Sequence, residues 1–166
     1  MVDAGRKCES TCSAQTYEER VADLCVQLTE QGYEIVLLSF CESEGDTAIA
    51  QQILDKLTDV SGVSMLCYLN NWEEMLRTMA ESELIIASRF HATVLGWTVG
   101  TRVFSLAYGG KTLHMIQDCG FSSGYIEMQN IKTLTAETIL QDAVCPTHLE
   151  QLGGEAAFAR LDLLLR

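Results

Sequence analysis

The chain has 166 residues, 48% of them apolar, and sets 11 Lys and Arg against 23 Asp and Glu for a formal net charge of −12. That length and apolar share fit one domain with a substantial core, and the acidic balance argues against non-specific binding to DNA, RNA or anionic lipid, which needs clustered cations. The longest apolar runs, such as Ile35 to Leu38 and Leu84 to Ala87, fall far short of the roughly 20 residues of a membrane span.

No apolar stretch follows Arg6 and Lys7, so a secretory signal is not supported and a cytoplasmic location is expected. Of the seven cysteines, Cys25, Cys41, Cys67 and Cys119 sit inside apolar periodic segments and read as reduced core thiols. Cys8 and Cys12 are closely spaced, but no second pair or nearby histidine completes a zinc set, so no metal site is expected.

Residues 17–31 place Val21, Leu24, Cys25 and Leu28 on one helical face, and Gly32 supplies a left-handed stop. The continuous apolar run from Tyr33 to Phe40 then reads as a strand covered on both faces, the signature of a parallel sheet. Asp46 to Leu57 carries a helical stripe of Ile49, Ile53, Leu54 and Leu57, with Glu42, Glu44 and Asp46 expected as a solvated loop and helix start.

Val63 to Tyr68 is the next strand, and Asn71 with Glu74 resembles a capping box opening a helix striped by Trp72, Met75, Leu76 and Met79. Leu84 to Ser88 forms a third strand and residues 90–99 a helix broken by Gly100. The pattern repeats in a strand over 102–107, a helix over 111–119 ended by Gly120, and a short strand over 125–128. Helices are expected over 136–144 and 156–165, on either side of Cys145-Pro146 and Gly153-Gly154.

The alternation predicts an α/β, three-layer Rossmann-like domain with a mostly parallel sheet over residues 17–166, ahead of which residues 1–16 have no assigned structure. A doubly wound sheet wants an apolar strand before the first helix, and Val2 to Ser13 is too polar to supply a convincing one.

Chemistry concentrates where the third strand ends in Ser88-Arg89-Phe90-His91 and where the fourth ends in Tyr108-Gly109-Gly110-Lys111. Ligands of open α/β sheets bind outside the carboxyl ends of strands, and two cationic turns there fit an anionic ligand. Free amides at the following helix starts add to that anion affinity. A plainer reading makes Ser88 a helix cap, Arg89 a surface charge and His91 an ordinary core histidine. Trp72 and Trp97 fall on helix stripes and read as packing, and His114 and His148 as ordinary helix residues.

The run Ser88-Arg89-Phe90-His91-Ala92, the Gly100 break, the strand ending in Tyr108, Lys111 and then Asp118-Cys119-Gly120-Phe121 resemble the carboxyl-terminal half of the polysaccharide pyruvyl transferase family. The resemblance implies one of two Rossmann-like domains in a GT-B-like arrangement, with the other, amino-terminal domain as a missing partner. It also implies transfer of pyruvate from phosphoenolpyruvate to a sugar or polysaccharide-precursor acceptor as a ketal, with no cofactor. By carry-over, Arg89 and His91 are the expected catalytic residues. The donor would be bound by Ser88, Arg89, His91, Tyr108, Gly109, Gly110 and Lys111. Gly109-Gly110 stands where the family often has Asp-Pro, which loosens the turn that carries Lys111. Two further readings are a nucleotide-sugar glycosyltransferase donor domain and a non-catalytic binding module of the same fold.

Overall fold

The computed structural model describes residues 13–146, so the helix expected over 156–165, His148, Cys8 and Cys12 lie outside the described residues. Among the described residues, six helices and five strands alternate. Helix α1 (Ala14–Glu30) leads to strand β1 (Ile35–Ser39), α2 (Asp46–Leu54), β2 (Val63–Cys67), α3 (Trp72–Glu81) and β3 (Leu84–Ala87). The remainder runs α4 (Phe90–Thr98), β4 (Arg102–Ala107), α5 (Gly110–Asp118), β5 (Tyr125–Glu127) and α6 (Ala136–Asp142). Gly32 takes the left-handed conformation expected of it after α1, and Gly100 and Gly120, expected as a break and a helix end, take the same conformation after α4 and α5.

Every ladder is parallel, but the strands form two sheets where one was expected. β1 pairs with β2, and β3-β4-β5 form a separate sheet, with no ladder between β1 and β3 among the described residues. Val144 makes an antiparallel bridge to Val103 and so flanks β4 where the short β5 does not reach.

β4 shows what full coverage does to an apolar strand. Phe104 and Leu106 enter a core with α1, α2 and α6, while Val103, on the opposite face, joins Trp97 and Ile116 against α4 and α5. That alternation produces three layers, as the period-2 geometry of a strand requires. Gly96 lets α4 approach this sheet, since a Cβ there would lie 2.6 Å from Val103 and 2.9 Å from Ile85.

Several local expectations are corrected. Asn71 caps no helix amide; its side chain instead accepts from the Leu69 amide and donates to Glu74, a local loop closure. Trp72 stays half exposed, whereas Trp97 is buried and donates to the Val144 carbonyl. Cys25 is buried, but Cys41, Cys67 and Cys119 are only partly covered because they stand at element ends. All five cysteines of the described residues are free thiols.

Two outcomes check this packing. Gly96→Ala should destabilise the fold by roughly 1–3 kcal/mol through overpacking, read from the urea midpoint. Burial pushes the Tyr17 phenol up to about 12 and the Cys25 thiol up to about 11. Both groups therefore keep protons in the native state that the unfolded chain releases, and stability should fall as pH rises from about 9 to 12. Tyr17→Phe should make that alkaline fall shallower by about 2–3 kcal/mol; an unchanged slope would contradict the burial argument.

Candidate functional site

The site begins at the carboxyl end of β1. Ser39 is buried and its hydroxyl meets Thr47 at 2.8 Å, after which a 3-10 turn (Glu42–Glu44) and left-handed Gly45 lead into α2. Asp46, the first residue of α2, folds back so that one carboxylate oxygen accepts from the amides of Phe40 at 3.2 Å and Cys41 at 2.9 Å. The expected solvated acidic cluster is thus divided. Glu42 and Glu44 face solvent, but Asp46 is fully buried.

A buried carboxylate needs a cation, and the turn after β3 supplies it. Arg89 Nε donates to Asp46 Oδ2 at 2.9 Å and Oδ1 at 3.2 Å, Nη2 donates to Oδ1 at 2.6 Å, and Nη1 donates to Glu44 Oε2 at 2.6 Å. The fork of Arg89 is therefore bidentate on Asp46, whose side chain is 0% exposed, and single-pronged on Glu44, which is 46% exposed. Burial alone would lower the Arg89 pKa, but hydrogen bonds and charge from Asp46 and Glu44 outweigh it and push it above its ordinary value. The guanidinium stays charged at any physiological pH.

Behind this pair, the hydroxyls of Ser88 and Tyr17 share a buried hydrogen bond of 3.0 Å, tying the first turn of α1 to the end of β3. Arg89, Ser88 and Tyr17 all line a crevice of about 530 Å³ that runs between β1 and β3.

The other residues singled out from the sequence stand apart from that crevice. His91 is exposed in the first turn of α4, its ring edge-on to Phe90 at 5.6 Å. Lys111 Nζ lies 4.0 Å over the centre of the Phe90 ring, a contact that joins the β3 and β4 turns at one sheet edge. Phe90 and Lys111 belong to a shallow hollow of about 390 Å³ shared with His114 and Asp118. Tyr108 is exposed, Gly109 is extended, and Gly110 opens α5.

Sequence reasoning missed Asp46, Glu44 and Tyr17 as partners of the Ser88-Arg89 turn. A signal existed: the acidic cluster follows β1 as Arg89 follows β3, and parallel strands bring both turns to one edge. Among the described residues, no group of three or more His, Cys, Asp or Glu side chains is arranged to hold a metal, and no helix is long and apolar enough to cross a membrane.

Asp46→Ala should cost roughly 3–5 kcal/mol, because it leaves Arg89 and two loop amides without their buried acceptor. Glu44→Gln should cost under about 1 kcal/mol, as expected for an exposed partner. Paired urea melts measure both, and equal losses would mean that the two carboxylates do not differ in role.

No solved structure matches the chain. A family model described as polysaccharide pyruvyl transferase matches residues 8–110, a stretch that contains the Asp46 loop, the Arg89 turn and the β4 strand end up to Gly110. With the greater part of its length inside that match, the chain belongs to the polysaccharide pyruvyl transferase family, a family of transferases.

Proposed function

We propose that this chain is the donor-binding half of a pyruvyl transferase, holding phosphoenolpyruvate while pyruvate passes to a sugar of a cell-surface polysaccharide as a cyclic ketal. The observation that carries the reading is the unequal grip on Arg89. Asp46, buried and bidentate, fixes the guanidinium at the mouth of the crevice, while exposed Glu44 holds only Nη1. A donor carboxylate or phosphate can take the place of Glu44 without disturbing Asp46. Anchoring of this kind lowers the ordering cost of recognition, because the fork is already set when the ligand arrives.

Ketal formation makes three demands. The methylene carbon of the donor must receive a proton, the adjacent carbon becomes electron-deficient as two acceptor hydroxyls attack it, and phosphate must leave against cations. In this reading Arg89 binds the donor carboxylate or phosphate. His91, exposed in the first turn of α4, delivers the proton or meets the phosphate. Lys111 closes on the departing phosphate from the neighbouring turn by leaving the Phe90 ring, an exposed cation–π contact worth about 0.5–1 kcal/mol. Ser88, Tyr108, Gly109 and Gly110 complete the donor turns, with the helix-start amides of α4 and α5 as further anion donors.

The acceptor would be held by an amino-terminal domain across a cleft. Without that positioning, much of the roughly 7–11 kcal/mol that orientation contributes is lost. Calorimetric titration of the chain with phosphoenolpyruvate should therefore show weak saturable binding, with phosphate release at background when sugars are added. Arg89→Ala should abolish the binding and Glu44→Gln should tighten it up to about fivefold, since about 1 kcal/mol of competition is removed. Binding unaffected by Arg89→Ala would overturn the assignment of the site, and rapid ketal formation by these residues alone would overturn the half-enzyme reading.

A further inference from the structure

The loop that leaves β2 gathers exposed aromatic surface. Of the seven large apolar or aromatic side chains that stand exposed among the described residues, Tyr68, Leu69 and Trp72 fall within five consecutive positions, at 43%, 74% and 49% exposure. Single apolar side chains scattered over a surface are ordinary, but a cluster of this kind marks a contact surface. Its two aromatics also carry polar tips. Among the described residues neither the Tyr68 hydroxyl nor the Trp72 indole N–H has a hydrogen-bond partner, and neither ring packs against another aromatic ring. Trp97, buried and bonded to the Val144 carbonyl, shows the contrary case.

The loop is held in shape. Asn71 Oδ1 accepts from the Leu69 amide at 2.7 Å and Asn71 Nδ2 donates to Glu74 at 2.8 Å, while Asn70, between Leu69 and Asn71, takes a φ of 66°, the one positive φ at a non-glycine among the described residues. Asparagine tolerates that left-handed conformation, which most side chains avoid. The Tyr68 amide donates to the Ser39 carbonyl at 2.9 Å and so ties the loop to the end of β1. Position follows from that tie. Ser39 and Cys67 are register partners, so the β2 loop starts one strand spacing, about 4.8 Å, from the end of the strand that leads to Glu44 and Asp46. The aromatic cluster and the Arg89 cation therefore flank the same β1-α2 turn, at the carboxyl edge where ligands of parallel sheets bind.

We propose that Tyr68, Leu69 and Trp72 form a carbohydrate subsite, which takes the neutral sugar units that flank the reacting one. The chemistry of the cluster selects this occupant. A pyranose has an apolar C–H face that lies on an aromatic ring, and rim hydroxyls that pair with O–H, N–H and carboxylate groups, and the cluster offers both kinds of contact. Glu73 and Glu74, exposed at the head of α3, accept from hydroxyls but repel phosphate, and the chain's net charge of −12 acts in the same direction, so a nucleotide or a nucleic acid fits poorly. A polysaccharide acceptor, which the family implies, is a chain of such neutral-faced units. The unit whose hydroxyls attack the donor would face Arg89 and still depend on the amino-terminal domain, while its neighbours extend over the β2 loop. The part played in ketal transfer rests on the donor reading of Arg89; the binding of sugars does not.

The chain's two tryptophans make the test direct, since Trp97 is buried and Trp72 is half exposed. The probes are cellotetraose, mannotetraose and galactotetraose, each titrated into the 166-residue chain without phosphoenolpyruvate. At least one of them should shield the exposed tryptophan from acrylamide quenching in a saturable way, with its monosaccharide binding at least about tenfold more weakly because it spans less of the cluster. Tyr68→Ala, read by the same fluorescence, and Trp72→Ala, read by calorimetry, should each weaken the tetrasaccharide at least about tenfold, while the affinity for phosphoenolpyruvate stays within about twofold. Absence of shielding by all three tetrasaccharides would overturn the proposal. Shielding by UDP and by no tetrasaccharide would overturn it in favour of a nucleotide subsite, and shielding that grows with protein concentration alone would overturn it in favour of a contact between two copies of this chain. Failure of phosphoenolpyruvate to bind the unaltered chain would count against the donor reading alone, because the sugar titrations contain none.

Discussion

One buried ion pair joins the two halves of this domain. Asp46 belongs to the β1-α2 connection and Arg89 to the β3-α4 connection, and among the described residues no ladder between β1 and β3 holds the sheets in register. The pair survives burial because its geometry is complete: the carboxylate also receives two backbone amides, and the guanidinium also reaches Glu44. A buried charge that lost either partner would be strongly unfavourable, and that penalty is what makes the bridge a constraint on the relative position of the sheets. The Tyr17–Ser88 hydrogen bond reinforces it by fixing α1 to the same strand end.

That structural duty and the binding duty argued for Arg89 fall on different nitrogens. Nε and Nη2 are committed to Asp46, while Nη1 is held by a carboxylate that is nearly half exposed. A surface ion pair is worth little in water, so Glu44 can be displaced by an anion that offers better geometry, whereas Asp46 cannot. An acidic chain with a net charge of −12 could not attract a small anion by its overall field. A cation shielded from that field, and held ready by one permanent partner, resolves the conflict locally.

The sequence made the helices and strands legible because period and punctuation agreed: apolar runs of strand length alternated with helical stripes closed by Gly32, Gly100 and Gly120. It also showed that both cationic turns lie at one sheet edge, since parallel strands in sequence order leave no other place for Arg89 and Lys111. What it hid was pairing at a distance. Asp46 reads as an exposed helix-start carboxylate from its neighbours Glu42 and Glu44, and only the fold carries Arg89 from 43 residues away to bury it. The split of the sheet was hidden for a related reason. A strand's own composition says that it wants two covered faces and says nothing about whether both of its edges are met.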